Sequence, residues 1–213
     1  MNITVMIPMV FFSQAINFGE IIQLPPASVN GAISLEESIA KRRSTREFSS
    51  KPLSIEQIGQ LLWAAQGITE KRSDLRSAPS AGALYPLETY VVLPAGIYHY
   101  NPLRHELKRV KEGDRRLELQ KAALDQEAVS AAPAVFVFAA VYERTAAKYG
   151  DRASRYVPIE AGHACQNLLL QATAQNLVGV PVGAFDDQRV AEVVKLEKNE
   201  NPLYLVPVGY SGE

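Results

Sequence analysis

Ala134-Val135-Phe136-Val137-Phe138-Ala139-Ala140-Val141 is the stretch on which the fold turns. It is apolar at odd and even positions alike, so neither face of an extended segment can meet water, and it marks a strand covered on both sides. Pro133 stands before it and closes a charged helical stretch running from about Asp114 to Leu124, with Leu117, Leu124 and alanines on one side. After it, from Val157 to Leu177, lies the longest helix candidate, with Leu168, Leu169, Ala172 and Leu177 in its apolar pattern and Gly179 placed as its cap.

Further out, Thr89-Tyr90-Val91-Val92-Leu93 reads as a strand by its β-branched and aromatic content. Pro94-Ala95-Gly96 turns it into Ile97-Tyr98-His99-Tyr100, and Asn101-Pro102 ends that hairpin arm. Val180 to Phe185 is a short apolar run broken by proline and glycine, Asp186-Asp187 supplies caps for a helix through Val194, and Leu203 to Tyr210 is the last strand. Nearer the start, Ser34-Leu35-Glu36-Glu37 and Ser54-Ile55-Glu56-Gln57 fit capping boxes. Leu35 with Ile39 gives the first helix an apolar face, and Ile55, Ile58, Leu61, Leu62 and Ala65 give the second its helical spacing, with Gly67 as its stop. Thr69 to Arg76 is charged and without a period, a surface loop. Strands and helices interleave with one clear hairpin, so the expectation is an α+β domain with a mixed, largely antiparallel sheet flanked by helices.

Two domains' worth of core is not needed for 213 residues, and no linker, repeat or low-complexity tract divides them. The domain proper is expected over residues 34–213, with 1–33 as an amino-terminal arm entered through Leu24-Pro25-Pro26. Within that arm, Ile3 to Ile16 is apolar like a signal segment but lacks a basic start, is interrupted by Pro8 and is too short to span a bilayer. A cytoplasmic protein is expected, or an exported one if residues 1–16 act as a signal. Hydrophobic residues at 47% and charged residues at 21% are globular values. A formal net charge of -1 gives no general attraction to nucleic acid or membrane. One cysteine, Cys165, and three histidines leave no disulfide framework and little for a metal centre.

Local positive charge is another matter. Arg42-Arg43-Ser44-Thr45-Arg46-Glu47-Phe48 gathers three guanidiniums and two hydroxyls within a few residues. Guanidiniums suit phosphate because they are always charged and present a planar fork of donors. A basic turn closing a helix explains the same residues, since cations favour the negative end of the helix dipole. Ala78-Pro79-Ser80-Ala81-Gly82-Ala83-Leu84-Tyr85-Pro86, small residues bracketed by prolines, also has two readings: a loop of tight turns, or a place where backbone amides come close to a flat or charged ligand.

The order and separation of four segments resemble the nitroreductase-like flavoproteins, most closely their SagB-type branch, which includes the azoline dehydrogenases of thiazole/oxazole peptide biosynthesis. The segments are the arginine cluster, the Ala78–Pro86 stretch, Glu160-Ala161-Gly162-His163 with Gln166-Asn167-Leu168-Leu169-Leu170, and Val180-Pro181-Val182-Gly183-Ala184-Phe185-Asp186. The resemblance implies an intertwined homodimer with flavin mononucleotide (FMN) at the interface. By position, Arg42, Arg43 and Ser44 would serve its phosphate and ribityl end, and Arg46 the N1/O2 edge of the ring. Pro79, Ser80 and Ala81 would reach the flavin of the partner subunit, and Pro181, Val182, Gly183 and Ala184 would pass over the ring near N5. Lys148-Tyr149 stands where that branch has a Lys-Tyr pair assigned to proton abstraction, against the alternative of a solvated surface lysine. The activity implied is hydride transfer from NAD(P)H or an organic substrate to a small-molecule acceptor. Two alternatives accompany it: azoline dehydrogenation of a modified peptide, and a non-catalytic flavin-binding or scaffold subunit. No metal-ligand spacing, glycine-rich phosphate loop or nucleophile elbow competes.

Overall fold

The computed structural model describes residues 20–212, so the apolar Ile3 to Ile16 segment lies outside the described residues. In chain order, the first half holds β1 (Ile21–Gln23), α1 (Leu35–Lys41), α2 (Ile55–Gln66), β2 (Ile68–Glu70), β3 (Leu75–Arg76), β4 (Leu87–Leu93), β5 (Gly96–Asn101) and β6 (Glu106–Glu112). The second half holds α3 (Arg116–Ala122), α4 (Glu127–Ala131), β7 (Ala134–Ala140), α5 (Tyr142–Tyr149), α6 (Ala153–Ala174), β8 (Val178–Gly179), α7 (Asp187–Val194) and β9 (Asn201–Gly209).

A seven-stranded sheet runs β1-β6-β5-β4-β7-β9-β8, and β2 with β3 forms a separate two-stranded hairpin. Strand β7 is an interior strand, fifth of the seven, and is buried along its whole length. It pairs antiparallel with β4 on one side and β9 on the other. Its alternate residues enter different cores, which is why the stretch had to be apolar throughout. Ala134, Phe136, Phe138 and Ala140 join α2 and α6 on one face of the sheet. Val135 and Val137 join α3, α4 and α7 on the other. The fold is α+β, as expected, and every pairing between named strands is antiparallel.

Several local expectations are met through the chemistry that suggested them. Ser34 Oγ accepts from the Glu37 amide, and Ser54 and Gln57 close a full capping box at α2. Asp186 caps α7 by accepting from the Arg189 amide. Leu93 pairs with Gly96 across the two-residue Pro94-Ala95 turn.

Other elements differ. The helix drawn from Val157 to Leu177 starts at Ala153 and ends at Ala174, and Gly179 is not its cap but part of β8. The left-handed residue past the helix is Asn176, at φ 57°, a role asparagine tolerates through its short polar side chain. Leu117 and Leu124, drawn as a buried side, are 57% and 64% exposed, and Leu119 and Ala122 face the core instead. The charged run at 69–76 includes the β2–β3 hairpin. Strand β6 was hidden because two of its inward-facing residues, Glu106 and Arg109, are charged and buried. Leu35 and Ile39 form an apolar face on α1, but both are exposed in the single chain, and Ser38 is the residue that α1 buries. Among the described residues no helix is long and apolar enough to cross a membrane.

Candidate functional site

The arginine cluster leaves α1 as an extended strip laid against the edge of the sheet. Ser44 bridges Gly179 in β8, and the Thr45 amide donates to the Gly179 carbonyl at 3.2 Å. Farther on, Ser49 donates to Tyr210 and Gly212 donates to Glu47, so both ends of the strip are fixed to the sheet. The three guanidiniums divide. Arg43 turns back and donates to the carbonyls of Ala40 and Arg42 at 3.0 and 2.7 Å, closing the helix that precedes it. Here the helix-closing reading of the sequence is realised, for this residue. Arg42 is half-buried and lies near Cys165 of α6. Burial pushes the Cys165 thiol up to about 12, and the Arg42 charge opposes part of that rise. Lys41 pairs with Glu37 at 2.5 Å, whereas among the described residues Arg42, Arg43 and Arg46 form no ion pair with a carboxylate. Guanidiniums without a counter-charge, next to the exposed Ser44, are a donor set that suits a phosphate.

The small-residue stretch folds into one short 3-10 turn, Ala81–Ala83, with Gly82 at φ 64°. Three contacts set its shape. The Ser80 hydroxyl accepts from the Tyr85 amide at 2.9 Å. The Ala81 amide donates at 2.9 Å to Glu160, a carboxylate only 5% exposed on α6. Arg144 of α5 donates to the Tyr85 carbonyl at 3.0 Å. Beside the loop, Pro79, Ser80 and Ala81 border an open pocket of about 260 Å³ whose other wall is Tyr156, Ile159 and His163 of α6.

Lys148 and Tyr149 end α5, and they reach this same loop. A methyl group added at Gly82 would stand 2.9 Å from the Tyr149 hydroxyl oxygen and 3.1 Å from Lys148 Nζ. Glycine suits the position on two counts: its left-handed backbone and the nearness of these two polar heads. The Tyr149 ring meets Tyr156 edge-on at 5.3 Å, which links the pair to the wall of the pocket.

Pro181, Val182, Gly183 and Ala184 follow β8 directly. Val182 is anchored by two backbone hydrogen bonds with Leu205, at 2.8 and 2.9 Å. Gly183 and Ala184 then emerge exposed, with little side chain to obstruct a ligand.

Within one chain these residues form two groups. Arg42, Arg43, Ser44 and Arg46 share the β8 edge with Pro181 to Ala184, while Pro79, Ser80 and Ala81 sit with Lys148 and Tyr149. Helix α6 separates the groups: Glu160, which holds Ala81, and Cys165, which faces Arg42, project about 140° apart round the helix. The contacts of Glu160 and Arg144 with this loop are not evident in the sequence, although a carboxylate on the buried side of α6 is a visible signal.

The sequence model of the nitroreductase family matches residues 39–210. The chain belongs to the nitroreductase family. A candidate nitroreductase of Methanocaldococcus jannaschii is 44% identical over 194 residues, covering 88% of this chain and 95% of the relative. Among solved structures, a candidate nitroreductase from Ralstonia eutropha superposes with a TM-score of 0.82 at 30% identity, covering 91% of this chain and 90% of that one. The microcin B17-processing protein McbC of Escherichia coli is 28% identical over 157 residues, 68% of this chain and 58% of McbC. That last similarity supports the likeness to the SagB-type branch. Family membership makes the chain an oxidoreductase by kind.

Proposed function

We propose that this nitroreductase-family protein is an FMN-dependent oxidoreductase that works as a homodimer and oxidises an organic substrate, an azoline ring in a modified peptide being the substrate class. The observation that carries this reading is the meeting of Lys148 Nζ and Tyr149 OH over Gly82 in the small-residue loop. Turning an azoline into an azole removes a hydride from one ring carbon and a proton from its neighbour, leaving a double bond between them. When bound, FMN supplies the acceptor for the hydride, and the electrons then leave to oxygen or another acceptor. The proton needs a base, and a lysine amine beside a tyrosine hydroxyl is a suitable pair when held close to the reacting carbon.

The other residues bind and orient. Arg42 and Ser44 would hold the phosphate and ribityl end, and Arg46 would place a fixed positive charge at the ring edge, where reduction builds negative charge. Gly183 and Ala184 leave the ring's face open to a reactant. Because the arginine strip and the Pro79–Ala81 loop flank α6 on different sides, a flat ligand that touches both needs the loop of a second copy. Leu35, Ile39 and Ile159, which are 61%, 56% and 47% exposed in the single chain, provide apolar surface for that copy to cover.

A second reading is reduction of a small-molecule acceptor at the expense of NAD(P)H. What favours it is the 44% identity, over nearly the whole chain, to a protein named as a candidate nitroreductase. Anaerobic mixing of the yellow protein with a thiazoline-containing peptide separates the two. The proposal expects the peptide to bleach the flavin and NADH and NADPH to leave it coloured. Bleaching by a nicotinamide alone would replace it with the second reading. Mixed dimers of Arg42→Ala and Ser80→Trp chains should recover flavin at one of their two sites, and no recovery would argue against a shared site.

A further inference from the structure

Arg144 is not part of any segment that suggested the flavin site, yet its guanidinium makes two hydrogen bonds beside it. It sits on α5 one helical turn before Lys148. One nitrogen donates to the Tyr85 carbonyl at 3.0 Å, and the other donates to Glu88 Oε1 at 2.5 Å. Glu88 Oε2 is held in turn by His99 Nε2 at 2.7 Å. Burial raises the Glu88 carboxyl, but the hydrogen bonds from His99 and Arg144 outweigh it and hold the group below the usual carboxylate range. His99 is itself fixed by Tyr90, whose ring lies 4.8 Å away and whose hydroxyl donates to Glu200 at 2.7 Å.

Helix α5 therefore grips the small-residue loop at two points. At its first turn the Val141 amide donates to Pro86 and Arg144 holds Tyr85. At its last turn Lys148 and Tyr149 stand over Gly82. Between these anchors the helix can neither slide nor rotate without breaking the two Arg144 hydrogen bonds, one to a backbone carbonyl and one, charge-assisted, to a carboxylate that is 15% exposed and also held by His99.

We propose that Arg144, held by Glu88 and the Tyr85 carbonyl, is a positioning residue that fixes the Lys148 amine and the Tyr149 hydroxyl over Gly82. The proposal rests on the reading of Lys148 and Tyr149 as the proton-accepting pair. It goes beyond that reading in naming what sets their place.

The test uses the flavin-loaded protein. Wild type, Arg144→Gln and Arg144→Lys are exposed to an acetylating succinimidyl ester, and labelling of Lys148 is followed by peptide mass spectrometry, with the exposed Lys71 as internal reference. Lys148 is exposed, as Lys71 is, so the readout is the change in the Lys148-to-Lys71 labelling ratio between wild type and variant. Arg144→Gln should raise Lys148 labelling by about tenfold, the scale of losing a charge-assisted hydrogen bond, and leave Lys71 unchanged. Arg144→Lys keeps the charge without the fork and should fall between; it also carries the comparison if the glutamine variant does not fold. Unchanged Lys148 labelling in a folded, yellow variant would overturn the proposal, whatever the activity. Thiazoline-peptide bleaching adds the functional arm: Arg144→Gln should slow it in the wild-type background and add nothing to Lys148→Met. Two losses that multiply would mark Arg144 as structural only and also overturn the proposal. If Lys148→Met bleaches at the wild-type rate, the proton-pair reading fails, and the labelling result still judges the placement of Lys148 by Arg144.

Discussion

At the scale of single residues, the arginine cluster shows how one basic patch divides its work. Arg43 donates to the carbonyls of Ala40 and Arg42 at the end of α1, whereas among the described residues Arg42 and Arg46 form no ion pair with a carboxylate. Arg42→Ala should therefore weaken FMN binding by the worth of one charge-assisted contact, about 1.5–3 kcal/mol. Arg43→Ala should cost less, because its guanidinium is engaged with the helix end. Titration of the apoprotein with FMN, followed by flavin fluorescence, measures both. Equal FMN affinity for Arg42→Ala and wild type would contradict the phosphate assignment. The types of these residues were legible in the sequence, but which arginine turned back on its helix was not, because that depends on the direction of the chain leaving α1. Gly82 was legible only as a small residue, since its neighbours Lys148 and Tyr149 arrive from α5.

At the scale of elements, local chemistry was read well where it was complete within a few residues. The Ser54–Gln57 capping box needs no tertiary context, and it forms with bonds of 3.0 and 3.3 Å. Ser54→Ala should cost α2 about 1 kcal/mol, seen as a lowering of Tm by a few degrees, and Ser54→Asp should recover most of it. No change in Tm for the alanine variant would mean that packing of α2 against α6 alone determines its start. Elements whose stability comes from partners were harder. Strand β6 places charged residues inward, and α5 has few apolar residues, with Thr145 the one it buries fully. Its place is set by contacts with Pro86, Tyr85 and Glu88, which no periodicity within Tyr142–Tyr149 records.

At the scale of the whole molecule, the apolar stretch Ala134–Val141 was decisive because a strand apolar on both faces requires packed layers on both sides of the sheet. Phe136 is fully buried in the core between the sheet and helices α2 and α6. Phe136→Ala should remove about 3–5 kcal/mol of stability, read as a lower denaturant midpoint. A loss below about 1 kcal/mol would mean that the core collapses around the gap. The same sheet also positions the candidate segments: its β8–β9 edge carries the arginine strip and the Pro181–Ala184 run, and β4 with α5 carries the small-residue loop and the Lys148–Tyr149 pair. The candidate site was legible as four segments in order. Its division into two groups about helix α6 was not, since sequence order does not record which side of a helix a loop meets. The central claim is that these groups hold FMN, and the most direct measurement is the flavin released from the purified protein on denaturation. The purified protein should be yellow and release FMN in equimolar amount with the chain; a colourless protein that takes up no added FMN would contradict the assignment.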